Sequence, residues 1–304
     1  MKNSHAEHAA APANGIIPRQ GKTFRLPTTV RGFLRNPAGL TGLLLLLAVF
    51  LMALIAPFAY PGDPLDMVAQ PFLWPGQDAS YPLGTDSLGR DVVAGIVHGA
   101  QVSLLIGFCA VLVSLLIGML VGSLAGYFGG RVDSVLVHIT ELFQTFPTFL
   151  LVVVLVAIGQ PSVTLISTAI GIASWPTIAR LVRAEFRSLR ESDFVLAARS
   201  QGFSSLRIIL QEMLPNALPS IIVTTSVMVA SAILIESALA FLGFGDPNRV
   251  SWGSMIGAGR ESLRTAWYLT ALPGGVLVLT VLSLNLVGDA LNDALNPRLR
   301  ERNA

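Results

Sequence analysis

Six long apolar runs constrain this chain more than any other feature: residues 39–60, 102–128, 134–158, 163–181, 218–242 and 265–288. A helix needs about 20 residues to cross the ~30 Å hydrocarbon core of a bilayer, and each run meets or approaches that length. Lipid offers no partner to backbone N–H and C=O groups, so segments of this kind satisfy themselves as helices. The expected fold class is therefore an all-α membrane protein with six transmembrane helices. With 53% hydrophobic and only 12% charged residues, the 304-residue chain has too little charge for a water-soluble globule.

The lysines and arginines set the orientation, because cytoplasmic loops carry an excess of them. With the N-terminus cytoplasmic, that side receives Lys2, Arg19, Lys22, Arg25, Arg31 and Arg35, then Arg131. It also receives Arg180, Arg183, Arg187, Arg190, Arg199 and Arg207, and finally Arg298, Arg300 and Arg302. Sixteen of the twenty basic residues then lie inside, leaving Arg90, Arg249, Arg260 and Arg264 outside. Both termini and the polar insert 182–217 are expected in the cytoplasm. The net charge of +2 gives no reason to expect a nucleic-acid partner.

Several features exclude other classes. The lone Cys109 lies in an apolar run and excludes an internal disulfide. The basic start of the chain lacks the apolar core of a cleaved signal peptide. Gly21-Lys22-Thr23 has the ending of a phosphate-binding loop, but Ile16 stands where the first glycine is required. The chain is therefore not expected to hydrolyse ATP itself. No nucleophile–base or metal constellation lies in the spans, which argues against an intramembrane enzyme.

The insert is organised by its arginines and glycines. Arg180, Arg183, Arg187 and Arg190 are spaced 3, 4 and 3, so the fourth span continues as a helix with one basic face. That face suits either lipid headgroups or an acidic partner. Asp193 can cap the next short helix, which carries Phe194, Leu196, Ala197, Ala198 and Arg199. Gly202 ends it where a left-handed residue is easiest to adopt. Ser204 or Ser205 starts a further helix, which Pro215 closes. The paired alanines would allow another surface close approach, and a rigid insert continuous with two spans would carry a push from a cytoplasmic partner into the membrane.

Other candidates divide between structural and functional readings. Residues 86–99 form an amphipathic helix with Val92, Val93, Ile96 and Val97 on one side, lying on the outer leaflet or receiving an external protein. Asp63, Asp66, Asp78, Asp86 and Asp91 match no spacing for a hard cation. Glu141, three residues after His138, is expected to pair with an arginine or to border the substrate path. Glu236 falls near the external end of the fifth span, to attract a peptide amino group or pair with Arg260 or Arg264. Asn285, Asp289 and Asp293 share one face at the end of the last span and call for an arginine. Gly118, Gly122 and Gly126 form a ridge of small residues for helix packing.

Ala197-Ala198, three residues, Gly202 and then Leu214-Pro215 resemble the coupling motif of binding-protein-dependent ABC importer permeases. Leu196 stands where that motif usually has an acid, and Glu212 where an aliphatic residue is usual. "LGTDSLGRDVVAGIVHGAQVSLLIG" (83–107), "AGYFGGRVD", "SALAFLGFG", "WGSM" and "NLVGDALNDALNP" follow the dipeptide, oligopeptide and nickel branch in order. Gly95 replaces a common arginine, and Asn292 and Asn296 replace a frequent arginine and aspartate. The likeness covers about residues 33–300. It implies a type I ABC importer permease fold, with a cytoplasmic tail 1–36, a first helix and external loop 37–98, a five-helix transmembrane domain 99–290 and a tail 291–304.

The resemblance also implies the assembly. A second permease would complete the pore, two ATP-binding subunits would hold ATP and magnesium, and an external solute-binding protein would deliver a di- or oligopeptide. This chain would sit in the bacterial inner membrane among lipid, with no cofactor of its own. Ala197, Ala198, Arg199, Gly202, Leu214 and Pro215 would couple to the ATPases, and Glu236 and Glu141 are candidates for the substrate path. A nickel importer is the nearest alternative. A secondary transporter is the rival from another class, expected to show paired midplane charges and repeated halves, which this sequence lacks.

Overall fold

The computed structural model describes residues 32–34 and 36–295. The basic N-terminal residues from Lys2 to Arg31, Arg35, the P-loop-like stretch, Asn296 and Arg298 to Arg302 lie outside the described residues. The helices run in the order α1 (Pro37–Ala59), α2 (Val92–Phe128), α3 (Gly130–Thr145), α4 (Thr148–Ile158) and α5 (Val163–Leu189). There follow α6 (Asp193–Ser200), α7 (Ser205–Phe241), α8 (Trp252–Gly259) and α9 (Tyr268–Leu295). Among the described residues the one β feature is an isolated bridge between Thr85 and Asp91.

Five helices are long and apolar enough to span a bilayer: α1, α2, α5, α7 and α9. The third expected span is different. It breaks into α3 and α4, bent by 79°. The cause is Pro147, whose ring pushes the preceding residue out of the helical region, and Phe146 is extended at φ −89° and ψ 135°. The bent pair makes a sixth crossing only if its two arms are taken as one.

The helix expected on the outer leaflet is instead the first turns of α2. Asp91 caps it by accepting from the Val93 N–H at 2.8 Å, and the helix runs 37 residues without interruption. Val92 and Ile96 do not meet lipid; they pack on Ala266, Tyr268 and Leu269. At 1.5 Å per residue α2 is about 55 Å long, well over the ~30 Å of a hydrocarbon core.

The bundle centres on α2 and α5, which lie against each other along most of their lengths. Gly118, Gly122 and Gly126 make this contact as expected. A β-carbon on them would fall 2.6 Å from Ile178, 2.5 Å from the Ala179 carbonyl and 2.5 Å from Phe186. α1 packs on α9 and α2, and α7 on α9, α2 and α5.

The two ends of the bundle differ. The loop end carries residues 60–91 and 242–267. There Thr85 accepts from the Leu73 N–H and donates to the Gln70 carbonyl, and the Tyr268 hydroxyl reaches the Leu73 and Thr85 carbonyls at 2.8 Å. Asp63, Asp78, Asp86 and Asp91 each accept from backbone N–H groups two to four residues on, so they shape turns. The arginine end carries the α2–α3 turn, made by Gly129 (φ +66°) and Gly130 (φ +53°), the end of α5 and all of α6.

Candidate functional site

The insert forms one packed unit at the arginine end. Val182 and Phe186 of α5, Val195 and Ala198 of α6, and Ile208, Met213 and Ala217 of α7 are buried together. α6 is therefore continuous through its core with two spanning helices. Its N-cap is Ser192 and not Asp193, which occupies the first turn, where its charge opposes the positive end of the helix dipole favourably.

Gly202 closes α6 with a complete left-handed cap. Its φ is +78°, its N–H reaches the Arg199 carbonyl at 3.0 Å, and the Phe203 N–H reaches the Ala198 carbonyl at 3.2 Å. Phe203 then packs beside Ala198, the apolar contact that accompanies this motif. Nothing lies within 4 Å of where a Gly202 side chain would start, so only the backbone conformation demands glycine there.

The two alanines separate. Ala198 is buried against α7, whereas Ala197 is exposed with Phe194, Leu196 and Arg199. Ala198 is thus a packing residue, and the outward apolar surface consists of Phe194, Leu196 and Ala197, continued by Leu206 and Leu210 on α7. Arg199 turns back over the Tyr127 ring at 5.0 Å and ties α6 to the end of α2. Arg207 lies 3.8 Å over the Phe203 ring and donates to Gln211.

Pro215 does not close a helix. Between Ile208 and Met213 the chain widens into a π-helical turn, and the Leu214 N–H reaches back five residues to the Ile209 carbonyl. The proline, which has no N–H to give, sits at the start of the α-helical stretch Leu214–Phe241, where none is needed.

The arginine stripe is also used internally. Arg183 binds Asp133, Arg190 lies 3.7 Å from Glu191, and Arg187 and Arg190 act on Asp133 electrostatically. Glu141 is exposed and lines a cavity of about 190 Å³ with Thr140, Gln144, Arg180 and Arg183. Asp133 has taken Arg183, so Glu141 forms no ion pair among the described residues.

A second feature lies within the spans. A groove of about 340 Å³ runs between α2, α4, α5 and α7, lined by Ser114, Thr148, Ser174, Thr177, Thr224 and Ser231 between apolar residues. Thr148, Thr177 and Ser231 are exposed. A single serine or threonine survives in lipid by bonding its own helix, as Thr224 does to the Ser220 carbonyl and Ser231 to Val227. Here six such residues from four helices line one groove, and although the Ser114 hydroxyl is given to the Gly171 carbonyl, Thr148, Thr177 and Ser231 stay open to it. Neither Glu236 nor Glu141 lines this groove.

Glu236 is 1% exposed and faces the interior of the loop end. The hydroxyls of Ser103 on α2 and Ser237 donate to its Oε2 at 3.3 Å, with the Ser251 side chain also in reach. Ser103 in turn accepts from the Trp252 N–H. The carboxyl therefore joins α2, α7 and the start of α8. Neither expected partner pairs with it among the described residues: Arg264 forms no ion pair, and Arg260 donates to the Phe241 carbonyl and lies against the Phe241 ring.

With this geometry in place, comparison with known proteins decides the family. Residues 118–301 match the family described as the binding-protein-dependent transport system inner membrane component. Residues 28–79 match the N-terminal transmembrane domain of oligopeptide transport permease C. The chain belongs to this family of permeases. It is similar to the di/tripeptide transport system permease protein DppC of Pseudomonas aeruginosa (strain UCBPP-PA14), 38% identical over 276 residues that cover 89% of this chain and 91% of that protein. It is equally similar to the oligopeptide transport system permease protein OppC of Escherichia coli (strain K12), 38% identical over 275 residues, 89% of this chain and 90% of that one. Among solved structures, the fold matches inward-facing conformations of the MetNI methionine ABC transporter. The TM-score there is 0.54 at 18% identity, covering 66% of this chain and 96% of that chain.

Other acidic residues of the permease serve the fold. Asp293 accepts from Asn36 at 3.4 Å, and neither Asp289 nor Asp293 meets an arginine among the described residues. Asp246 accepts from the Val163 and Asn248 N–H groups and so pins the α4–α5 connection to the second loop. At the loop end, burial pushes the Asp91 carboxyl above its ordinary value, offset in part by the Val93 and Ala94 N–H groups.

Proposed function

We propose that this permease is one half of the pore of an ATP-driven importer that carries di- or oligopeptides by alternating access. The observation that carries the reading is the hydroxyl-lined groove between α2, α4, α5 and α7, two of which, α5 and α7, are the long helices that carry α6. A second permease facing this groove would close the path. Two ATP-binding subunits, which hold ATP and magnesium, would seat on the outward surface of Phe194, Leu196, Ala197, Leu206 and Leu210. Their closure would move α6, and the shared core of Phe186, Val195, Ala198 and Met213 would pass that movement to α5 and α7 and so to both walls of the groove.

The excess of arginine around α6 supports a cytoplasmic position for this end and an external one for the loop end, where a solute-binding protein would deliver its cargo. The groove offers hydroxyls and apolar side chains with no charge, which suits peptides of varied sequence. It carries no imidazole or thiol, which favours peptide over a bare nickel ion. The test is uptake by the reconstituted complex. Labelled peptide should accumulate only with ATP and the binding protein present, and Ser231→Phe should abolish uptake without loss of assembly. Uptake independent of ATP, or unchanged by Ser231→Phe, would count against the proposal.

A further inference from the structure

α7 runs from Ser205 to Phe241, but its first turns are not an ordinary α-helix. Between Ile208 and Met213 it widens into the π-helical turn, and Pro215 and Pro219 follow at once. Neither proline has an N–H, so the Gln211 and Pro215 carbonyls lose the donors that an α-helix would give them four residues on. The Glu212 carbonyl takes the Asn216 side-chain amide at 2.6 Å. π-Helical turns and prolines are both causes of a bend in a helix, and here both fall between Ile208 and Pro219.

This stretch lies between two different bodies. On one side α6 and Ser205–Arg207 are fixed together, because Ser204 caps the Arg207 N–H and Arg207 lies over the Phe203 ring. On the other side stand the groove residues Thr224, Val227 and Ser231. The buried face of the stretch, Ile209, Met213 and Ala217, rests in the core shared with α5 and α6. Its opposite face, with Leu210, Gln211, Pro215 and Asn216, is exposed, so the helix has room to bend there.

α5 has no such joint. It also contains a proline, Pro176, but α2 clamps it at that level. A β-carbon on Gly118 would fall 2.6 Å from Ile178 and 2.9 Å from the Trp175 carbonyl. The two walls of the groove therefore answer a movement of α6 differently: α5 follows as a rod, and α7 turns at its base. Walls that moved as one block would carry the groove along without changing its width.

We infer that residues 208–219 are a hinge used in transport: α6, the end of α5 and residues 205–207 move as one body, and residues 224–241 swing against it. The inference rests on the ATP-driven reading above, and the experiment keeps the two apart. In the complete transporter carrying Cys109→Ser, spin labels at Ser200 and Leu234 measure a distance across the stretch. Labels at Ser188 and Ser200 measure one within the moving body. Trapping the ATP-binding subunits closed on ATP should change the first distance and leave the second as it was. Deletion of Gln211 takes the extra residue out of the π-helical turn and makes α7 a continuous α-helix there. That variant should assemble and keep its ATP-binding subunits, yet lose the change in distance and most of the uptake. Pro219→Ala returns one N–H to the helix and should weaken both in the same direction. If the unmodified transporter shows no ATP-dependent uptake, the functional reading fails together with the inference. Uptake with a constant distance from Ser200 to Leu234, or with a changing one from Ser188 to Ser200, would overturn the hinge alone. Full uptake by the deletion variant would do the same. The two distances in the unmodified protein decide the matter even where a variant fails to assemble.

Discussion

Asp133, at the start of α3, grips Arg183 of α5 through both of its oxygens: Nε meets Oδ1, and Nη2 meets Oδ2 at 2.7 Å. The pair bridges the α2–α3 turn and the helix that leads into α6, and it is partly exposed, at 28% for the arginine and 17% for the aspartate. A bidentate pair in this setting should contribute about 1–2 kcal/mol, between a surface bridge and a buried one. Asp133→Asn should lower the melting temperature of the purified complex by a few degrees, and the exchange of Asp133→Arg with Arg183→Asp should recover much of the loss. Equal melting of the single variants and the unmodified complex would remove the pair from the account.

Gly202 separates backbone strain from crowding, because its φ of +78° is unfavourable to a β-branched residue while the space beside it is empty. Gly202→Asn should retain most uptake, since asparagine tolerates the left-handed region. Gly202→Val should assemble yet lose most of the ATP hydrolysis that loaded binding protein stimulates. Matching activities for the two variants would mean that the cap does not set the position of α6.

The alanines make opposite predictions. Ala198→Trp inserts a large ring into the core between α6 and α7, so the yield of assembled complex should fall. Ala197→Trp lies on the outward surface, so assembly should be normal while association with the ATP-binding subunits and uptake are lost. Copurification of those subunits, with normal uptake, in Ala197→Trp would rule out the outward surface as their seat.

Glu236 should behave as a structural joint. Glu236→Gln keeps an acceptor for the serine hydroxyls and should leave uptake near normal. Glu236→Leu leaves those hydroxyls unmet and should cost about 1–3 kcal/mol of thermal stability. A large loss of uptake in Glu236→Gln at normal stability would return this residue to the substrate path.

Much of the fold was legible because apolar length is a local property. The spans, the long extension of α5, the Gly118 ridge and the Gly202 turn all follow from residues near one another in sequence. The break at Phe146 also had a local sign in Pro147, but the surrounding apolar run hid it. What the sequence could not supply were the long-range pairings. Glu236 meets Ser103 from 133 residues away, where Arg260 or Arg264 had been expected, and Arg183 meets Asp133 across 50, where the stripe had been expected to face lipid or an acidic partner. The groove was missed because its serines and threonines are individually unremarkable for a spanning helix, and only four packed helices bring them together.

The central claim is that the groove opens alternately to the two sides of the membrane under the control of ATP. With Cys109 replaced by serine, a single cysteine at Ser231 is labelled with a membrane-impermeant thiol reagent in oriented proteoliposomes holding the complete transporter. Without nucleotide the reagent should react from the side that carries α6. With the ATP-binding subunits trapped closed on ATP it should react from the loop end. Labelling from one side only in both states, or no labelling from either, would contradict the account.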